Sequence, residues 1–257
     1  MLSLFDPGTG RAEPLTPAHR GELRILSRGG PPGLAGICDL LLPDLIRRTA
    51  EWHRLRVASA WAETGAGVQN GSGAAFRHAA SALNLRPPDT DDLGSAADVC
   101  TGEDGGPPAD GRWTRSGLVT FPADLGGTGP DPLAGLDGHG LDPLALRLVL
   151  LGRRYRDPLT VTWPALAAAG AELASWRGLV ADWANLPSRP LSAAYRGRIA
   201  AAFDDDLDTP AALAALRDLA ADASVAPGAR FETFADADRL FGLDLVRDVG
   251  RGAGRAG

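Results

Sequence analysis

A chain of 257 residues suits one or two domains, and a single core of that size can hide roughly 70–75 % of the unfolded chain's surface. Its 44 % hydrophobic and 23 % charged residues describe a globular protein, and a net charge of −6 disfavours a generally basic nucleic-acid binder. All 26 basic residues are arginine, so any mechanism that needs a lysine ammonium is excluded.

Glycine and proline crowd residues 29–36, 102–111 and 126–140 and thin out between 141 and 226. That contrast predicts a loop-rich α/β first part and a helical second part. Leu23 and Ile25 alternate about Arg24, the pattern of a short strand. After a Gly/Pro turn, Leu34, Ile37, Leu41 and Leu45 recur at helical spacing. Leu55, Val57, Ser59 and Trp61 alternate as a second strand, and residues 76–85 read as a second helix. Residues 97–100 and 118–121 supply two more strands. Strands alternating with helices indicate a parallel sheet, with ligands at the carboxyl ends of its strands.

The second part reads as a helix bundle. Residues 144–155 are apolar on most sides, as in a buried helix, and helices over 164–183 and 190–203 follow. Thr209-Pro210 is a start signal, a capping hydroxyl and then proline at the first helical position. Leu213, Leu216 and Ala220 form that helix's apolar face. A last helix near 235–241 precedes a tail, 247–257, expected to fray. Asp204-Asp205-Asp206 are expected to favour the helix start that follows them. The six tryptophans, Trp163, Trp176 and Trp183 among them, are expected to anchor the bundle core.

Cys38 and Cys100 cannot form a multi-bridge framework, and no Cys-x-x-Cys pair marks structural zinc. Cys38 falls within the apolar pattern of the first helix, as a core thiol does. Asp137, His139 and Asp142 lie in a loop entering a helix, a plainer account of them than a metal or acid–base cluster. No basic region followed by an apolar stretch opens the chain, and its apolar runs are too short to span a bilayer. The expectation is a soluble cytoplasmic protein with no membrane contact.

Several stretches carry a family resemblance. Leu4-Phe5-Asp6, Glu13-Pro14-Leu15 and Leu23-Arg24-Ile25-Leu26 resemble the opening of a cysteinyl-tRNA synthetase. Ala82-Leu83-Asn84-Leu85-Arg86-Pro87-Pro88 is similar to the segment before that family's insertion, and residues 113–120 resemble the strand entering its second ATP signature. Asp142-Pro143-Leu144-Ala145-Leu146-Arg147, Arg154-Tyr155-Arg156 and Asp205-Asp206-Leu207-Asp208-Thr209-Pro210 resemble its helical domain. The last of these, with residues 237–245, is most similar to the mycothiol cysteine ligase branch, which joins cysteine to an amino sugar on inositol.

The resemblance implies a reduced Rossmann-like parallel sheet of nucleotide-binding type over 1–127, an α-helical bundle over 128–246 and a flexible tail over 247–257. It places a degenerate nucleotide site at Arg28, Gly29, Gly30, Gly33, Gly36, Gly126 and Gly127. Cys100, Thr101 and Gly102 are the remnant of an amino-acid pocket. Arg153, Arg154 and Arg156 stand where the family's bundle meets RNA, since phosphate contacts need such cations. The family stabilises charge on ATP with two histidine-type donors and two lysines. Glycines, Gly33 and Gly36, hold both donor positions here, while Ala123 holds a lysine position and Asp124 adds a negative charge. The family's zinc has no counterpart: Arg28-Gly29 falls at the first ligand position, and the stretch carrying the other ligands is missing. The expectation is a relative that has lost standard cysteine adenylation and binds a small molecule or a protein partner, with ATP as its family nucleotide and a homodimer through a sheet edge. An ATP-dependent ligase with a rewired site and a tRNA-binding module are the competing readings, tRNA being disfavoured by the acidic charge.

Overall fold

The computed structural model describes residues 1–17, 21–28, 33–62, 74–90, 93, 97–102, 111–125 and 131–251. The chain opens with an antiparallel hairpin, β1 (Ser3–Asp6) and β2 (Arg11–Pro14). In β3 (Glu22–Arg28) burial alternates, so that Leu23, Ile25 and Ser27 share the covered face. The single helix expected over 34–45 is instead two, α1 (Leu34–Asp39) and α2 (Leu41–Trp52). Pro43 explains the break. It has no N–H for the Asp39 carbonyl, and its ring crowds the preceding turn.

Next come β4 (Arg56–Ala62), α3 (Ala74–Ala82), β5 (Val99–Thr101) and β6 (Arg112–Thr114). These strands form one parallel sheet in the order β4-β3-β5-β6. This is the α/β, Rossmann-like layout. From β3 the chain crosses first to β4 on one side and later to β5 on the other, which makes the β3/β5 boundary the point where the winding reverses. Ligands of open α/β sheets sit at the carboxyl ends of strands flanking such a point. Arg112 ties the hairpin to this sheet by donating to the carbonyls of Leu4, at 3.2 Å, and Glu13, at 2.6 Å.

The strand expected over 118–121 does not join the main sheet. Its core, β7 (Val119–Thr120), pairs in parallel with β8 (Leu159–Thr160) in a separate two-stranded ladder. The fourth place belongs to β6, whose three residues are too few to show an alternation in sequence.

A short helix α4 (Ala134–Gly138) occupies part of the glycine-rich loop. The bundle follows as α5 (Pro143–Leu151), α6 (Trp163–Trp183), α7 (Ala193–Asp204), α8 (Thr209–Ala221) and α9 (Pro227–Phe241). Three local expectations change. The cap of α8 is Asp208, whose carboxylate accepts from Ala211 N at 3.1 Å, while Thr209 Oγ1 donates to the Arg153 carbonyl. Helix α9 starts at Pro227, well before its clearest apolar pattern. Trp163 is only half-buried, whereas Trp176 and Trp183 lie in the core, edge-on to Phe234. The acidic triplet also does more than bias a helix start: Asp204 accepts from His53, and Asp206 is buried.

One continuous apolar core runs from Leu2 through the sheet-covering helices to Leu245. Where α2, α5 and α9 meet it contains a fully buried ionic knot. Asp44 Oδ2 accepts from Arg147 Nη2 at 2.6 Å and from Arg48 Nε at 2.8 Å. Arg147 also donates to the carbonyls of Phe241 and Leu83, and Arg48 to those of Arg239 and Asn84. Several of these carbonyls end α9, where a helix C-terminus favours cations. Burial works against the Asp44 carboxylate, but the two guanidiniums outweigh it and hold the carboxyl below its usual range.

Candidate functional site

The carboxyl ends of β3 and β5 bring part of the sequence-predicted site together. Ser27 pairs in register with Thr101, and Leu26 with Cys100. Arg28 and Gly102 follow immediately. Gly102 has φ +119, and a Cβ there would collide with the Arg28 carbonyl, so only glycine lets the two strand ends approach. Ser27 continues the face of Leu23 and Ile25, where the pattern calls for an apolar residue. Its Oγ is buried and has no hydrogen-bond partner among the described residues. Burial pushes the Cys100 thiol above its usual value, with Arg28 pulling the other way.

Gly33 stands at the N-cap of α1 with φ 85, and Gly36 is buried inside that helix. Gly29, Gly30, Gly126 and Gly127 lie outside the described residues. Asp124 accepts from Trp163 Nε1 through both carboxylate oxygens, at 3.1 Å each. The other face of Trp163 stacks on His139, with ring centres 3.7 Å apart. Asp142 caps α5 through Leu144 N and pairs with Arg177 and Arg247. His139 and Asp142 therefore have structural partners.

The three arginines of the candidate RNA contact are engaged within the chain. Arg153 donates to the carbonyls of Tyr155, Asp157 and Gly117, although its buried Nε finds no partner among the described residues. Arg154 pairs with Asp208. Arg156 clasps Asp206 Oδ2 with Nε at 3.0 Å and Nη2 at 2.7 Å. The other oxygen of Asp206 accepts from Phe5 N and from Tyr155 Oη, both at 2.7 Å. One buried carboxylate thus locks the hairpin, the bundle and Arg156 together.

Beside this lock lies a cleft of about 520 Å³ whose walls include Phe5, Trp113, Arg115, Ser116, Leu118 and Arg156. Trp113 Nε1 is turned away to the Gly102 carbonyl, at 3.1 Å. Sequence reasoning did not single out this cleft, because its walls come from three distant stretches with no shared periodicity. Arg115 beside Trp113 was the one available cue.

Among the described residues, the zinc that the resemblance concerns finds no fitting ligand set. Arg28 occupies the first ligand position, and Cys38 and Cys100 are buried in separate elements. No group of three or more His, Cys, Asp or Glu side chains capable of holding a metal ion occurs among the described residues. Among those residues, no helix is long and apolar enough to cross a membrane.

A Rossmann-like parallel sheet followed by a helical bundle defines the class of protein. No protein-family model matches the chain. It is, however, 39 % identical over 111 residues to an L-cysteine:1D-myo-inositol 2-amino-2-deoxy-alpha-D-glucopyranoside ligase of Thermobispora bispora, covering 43 % of this chain and 23 % of that protein. A ligase of the same name from Streptomyces griseus is 45 % identical over 78 residues, 30 % of this chain and 18 % of its own. One from Mycolicibacterium smegmatis is 37 % identical over 114 residues, 43 % of this chain and 27 % of its own. Over those stretches the chain is similar to cysteine ligases of that name. The matched part spans only 18–27 % of these three relatives' own lengths.

Proposed function

We propose that the chain keeps part of a cysteine-ligase scaffold without ATP-dependent cysteine adenylation, and serves as an accessory protein that binds a small molecule or a protein partner. The observation that carries this reading is the set of residues at the positions that the resemblance assigns to the family's phosphate donors. Attack of a carboxylate on ATP builds charge on the phosphates, and pre-set donors must meet it. At the positions that the resemblance assigns to those donors, Gly33 and Gly36 offer no side chain and Ala123 offers no hydrogen bond. Asp124 offers a negative charge already committed to Trp163. No lysine exists to compensate. Losing one donor of this kind costs about 10²–10³ in rate, and here several are absent together. The buried Ser27 hydroxyl, without a hydrogen-bond partner among the described residues, leaves a polar group that supports ligand binding at the same place.

ATP–pyrophosphate exchange, run with cysteine and then with each other amino acid, tests the reading. The expected result is no exchange above the blank. Exchange with any amino acid overturns it in favour of the second reading, an ATP-dependent ligase acting on an amine, which the activity named for the relatives favours. A tRNA-binding role is weakened by the internal engagement of Arg153 and Arg154; the absence of salt-dependent tRNA retention on filters removes it. A cytoplasmic location and a homodimer through a sheet edge complete the proposal, and mass measurement in solution tests the dimer.

A further inference from the structure

The cleft beside the β1–β2 hairpin has features that neither the scaffold nor the strand-end site accounts for. Arg115 is exposed and makes no hydrogen bond or ion pair among the described residues; its guanidinium carbon lies 5.8 Å from the Trp113 ring centre. Arg156 is held rigidly over Phe5 at 4.1 Å, and Asp206 takes its Nε and Nη2, which leaves Nη1 without a partner among those residues. The Asp206 carboxylate is itself saturated by four donors and buried behind the cleft. Leu118, at the rim, is 69 % exposed although it is a large apolar side chain. A volume of about 520 Å³ exceeds what a free inorganic anion fills and falls in the range of small-molecule sites.

We infer that this cleft binds a phosphate monoester carrying a flat ring, with the phosphate at Arg115 and Arg156 and the ring against Trp113 and Leu118. The Arg115 cation, unpaired among the described residues, and the Nη1 donor of Arg156, whose charge Asp206 balances, match the three acceptor oxygens of a monoester better than the two of a single carboxylate. The Arg115 fork can bind such oxygens bidentately, while Arg156, already oriented by Asp206, adds a single donor from Nη1 that loses little freedom on binding. The apolar wall beside the cations selects for the attached ring. The site lies off the end of β6, outside the strand-end residues Ser27, Arg28 and Thr101, and the inference stands whether or not adenylation is lost.

Calorimetric titration of the full chain with phenyl phosphate and with AMP tests it, alongside inorganic phosphate and adenosine as half-ligands. At least one of the two ring phosphates is expected to bind saturably, each half-ligand at least about tenfold more weakly. The surface change Arg115→Gln is expected to weaken binding about tenfold or more, the scale of one charge-assisted contact, without changing the melting temperature. Trp113→Phe should abolish the ligand-induced change in tryptophan fluorescence. The inference is overturned if neither ring phosphate saturates, or if Arg115→Gln binds as tightly as the parent chain. It is also overturned if only tRNA binds. A positive pyrophosphate-exchange result would leave it untouched, so the two proposals fail separately.

Discussion

The buried knot of Asp44, Arg48 and Arg147 makes the sharpest stability prediction, through Arg147→Met. Methionine keeps most of the side-chain length but removes the guanidinium, so packing changes little and the polar loss dominates. Asp44 would lose its 2.6 Å partner, and the carbonyls of Phe241 and Leu83 would lose donors at 2.7 and 3.0 Å. Breaking a buried pair from one side costs about 3–5 kcal/mol. Each orphaned buried acceptor costs about 1–3 kcal/mol. Because Arg48 still serves Asp44 and neighbouring losses overlap, the expected total is about 4–6 kcal/mol, a large part of the 5–15 kcal/mol that holds a typical domain together. At about 2–4 °C per kcal/mol for a chain near this size, the melting temperature should fall by about 10–20 °C. Urea titration followed by tryptophan fluorescence measures the loss directly. Arg198→Gln is the comparison, since its pair with Asp218 is half exposed on both sides and worth under about 1 kcal/mol. If Arg147→Met unfolds within about 1 kcal/mol of the parent at an unchanged denaturant slope, the knot does not hold the two parts together.

Two further outcomes follow from titratable groups. Burial pushes both thiols above their usual value, most strongly Cys38. Ellman's reagent at mildly alkaline pH should therefore leave the native chain unlabelled and release two equivalents in guanidinium; prompt native labelling would contradict the buried placement. In acid, Asp44 and Asp142 dominate. Burial opposes both carboxylates, yet Arg147 and Arg48 hold Asp44 below its usual range, and the Arg177 and Leu144 bonds do the same for Asp142. A lowered folded pKa contributes stability above the unfolded value of about 3.9, lost as pH falls through the folded value. Asp238, raised by burial, acts in the opposite sense and offsets part of that loss. The melting temperature should hold between about pH 5 and 7 and fall below about pH 4. Asp142→Asn should flatten part of that fall, and an unchanged acid limb would refute the assignment.

Much of the architecture was legible in the residues because local patterns reported it. The alternation of Leu23 and Ile25, the helical spacing of Leu34 and Ile37, and the apolar run into Leu151 each name an element that exists. The strand-end residues Arg28, Cys100, Thr101 and Gly102 were also legible as neighbours, since a parallel sheet gathers such ends on one edge. Elements of two or three residues were not. β6 and the β7–β8 ladder have no length over which a period can show, and only their partners decide where they lie.

By itself the sequence determined composition-level chemistry: an acidic chain without lysine, with glycine where the related ligases' resemblance calls for donors, on a sheet-then-bundle plan. Those are properties of residue identity, and folding does not alter them. Only the tertiary structure decided which charges remain available. Arg147, Arg48 and Arg177 vanish into the core, Arg153 and Arg154 turn to the chain's own carbonyls and carboxylates, Arg156 keeps one donor beyond its clasp on Asp206, and Arg115 stays open beside Trp113. Asp44 and Arg147 sit 103 positions apart, and Arg48 and the Arg239 carbonyl 191, so the pairing depends on packing in three dimensions and leaves no trace in local spacing.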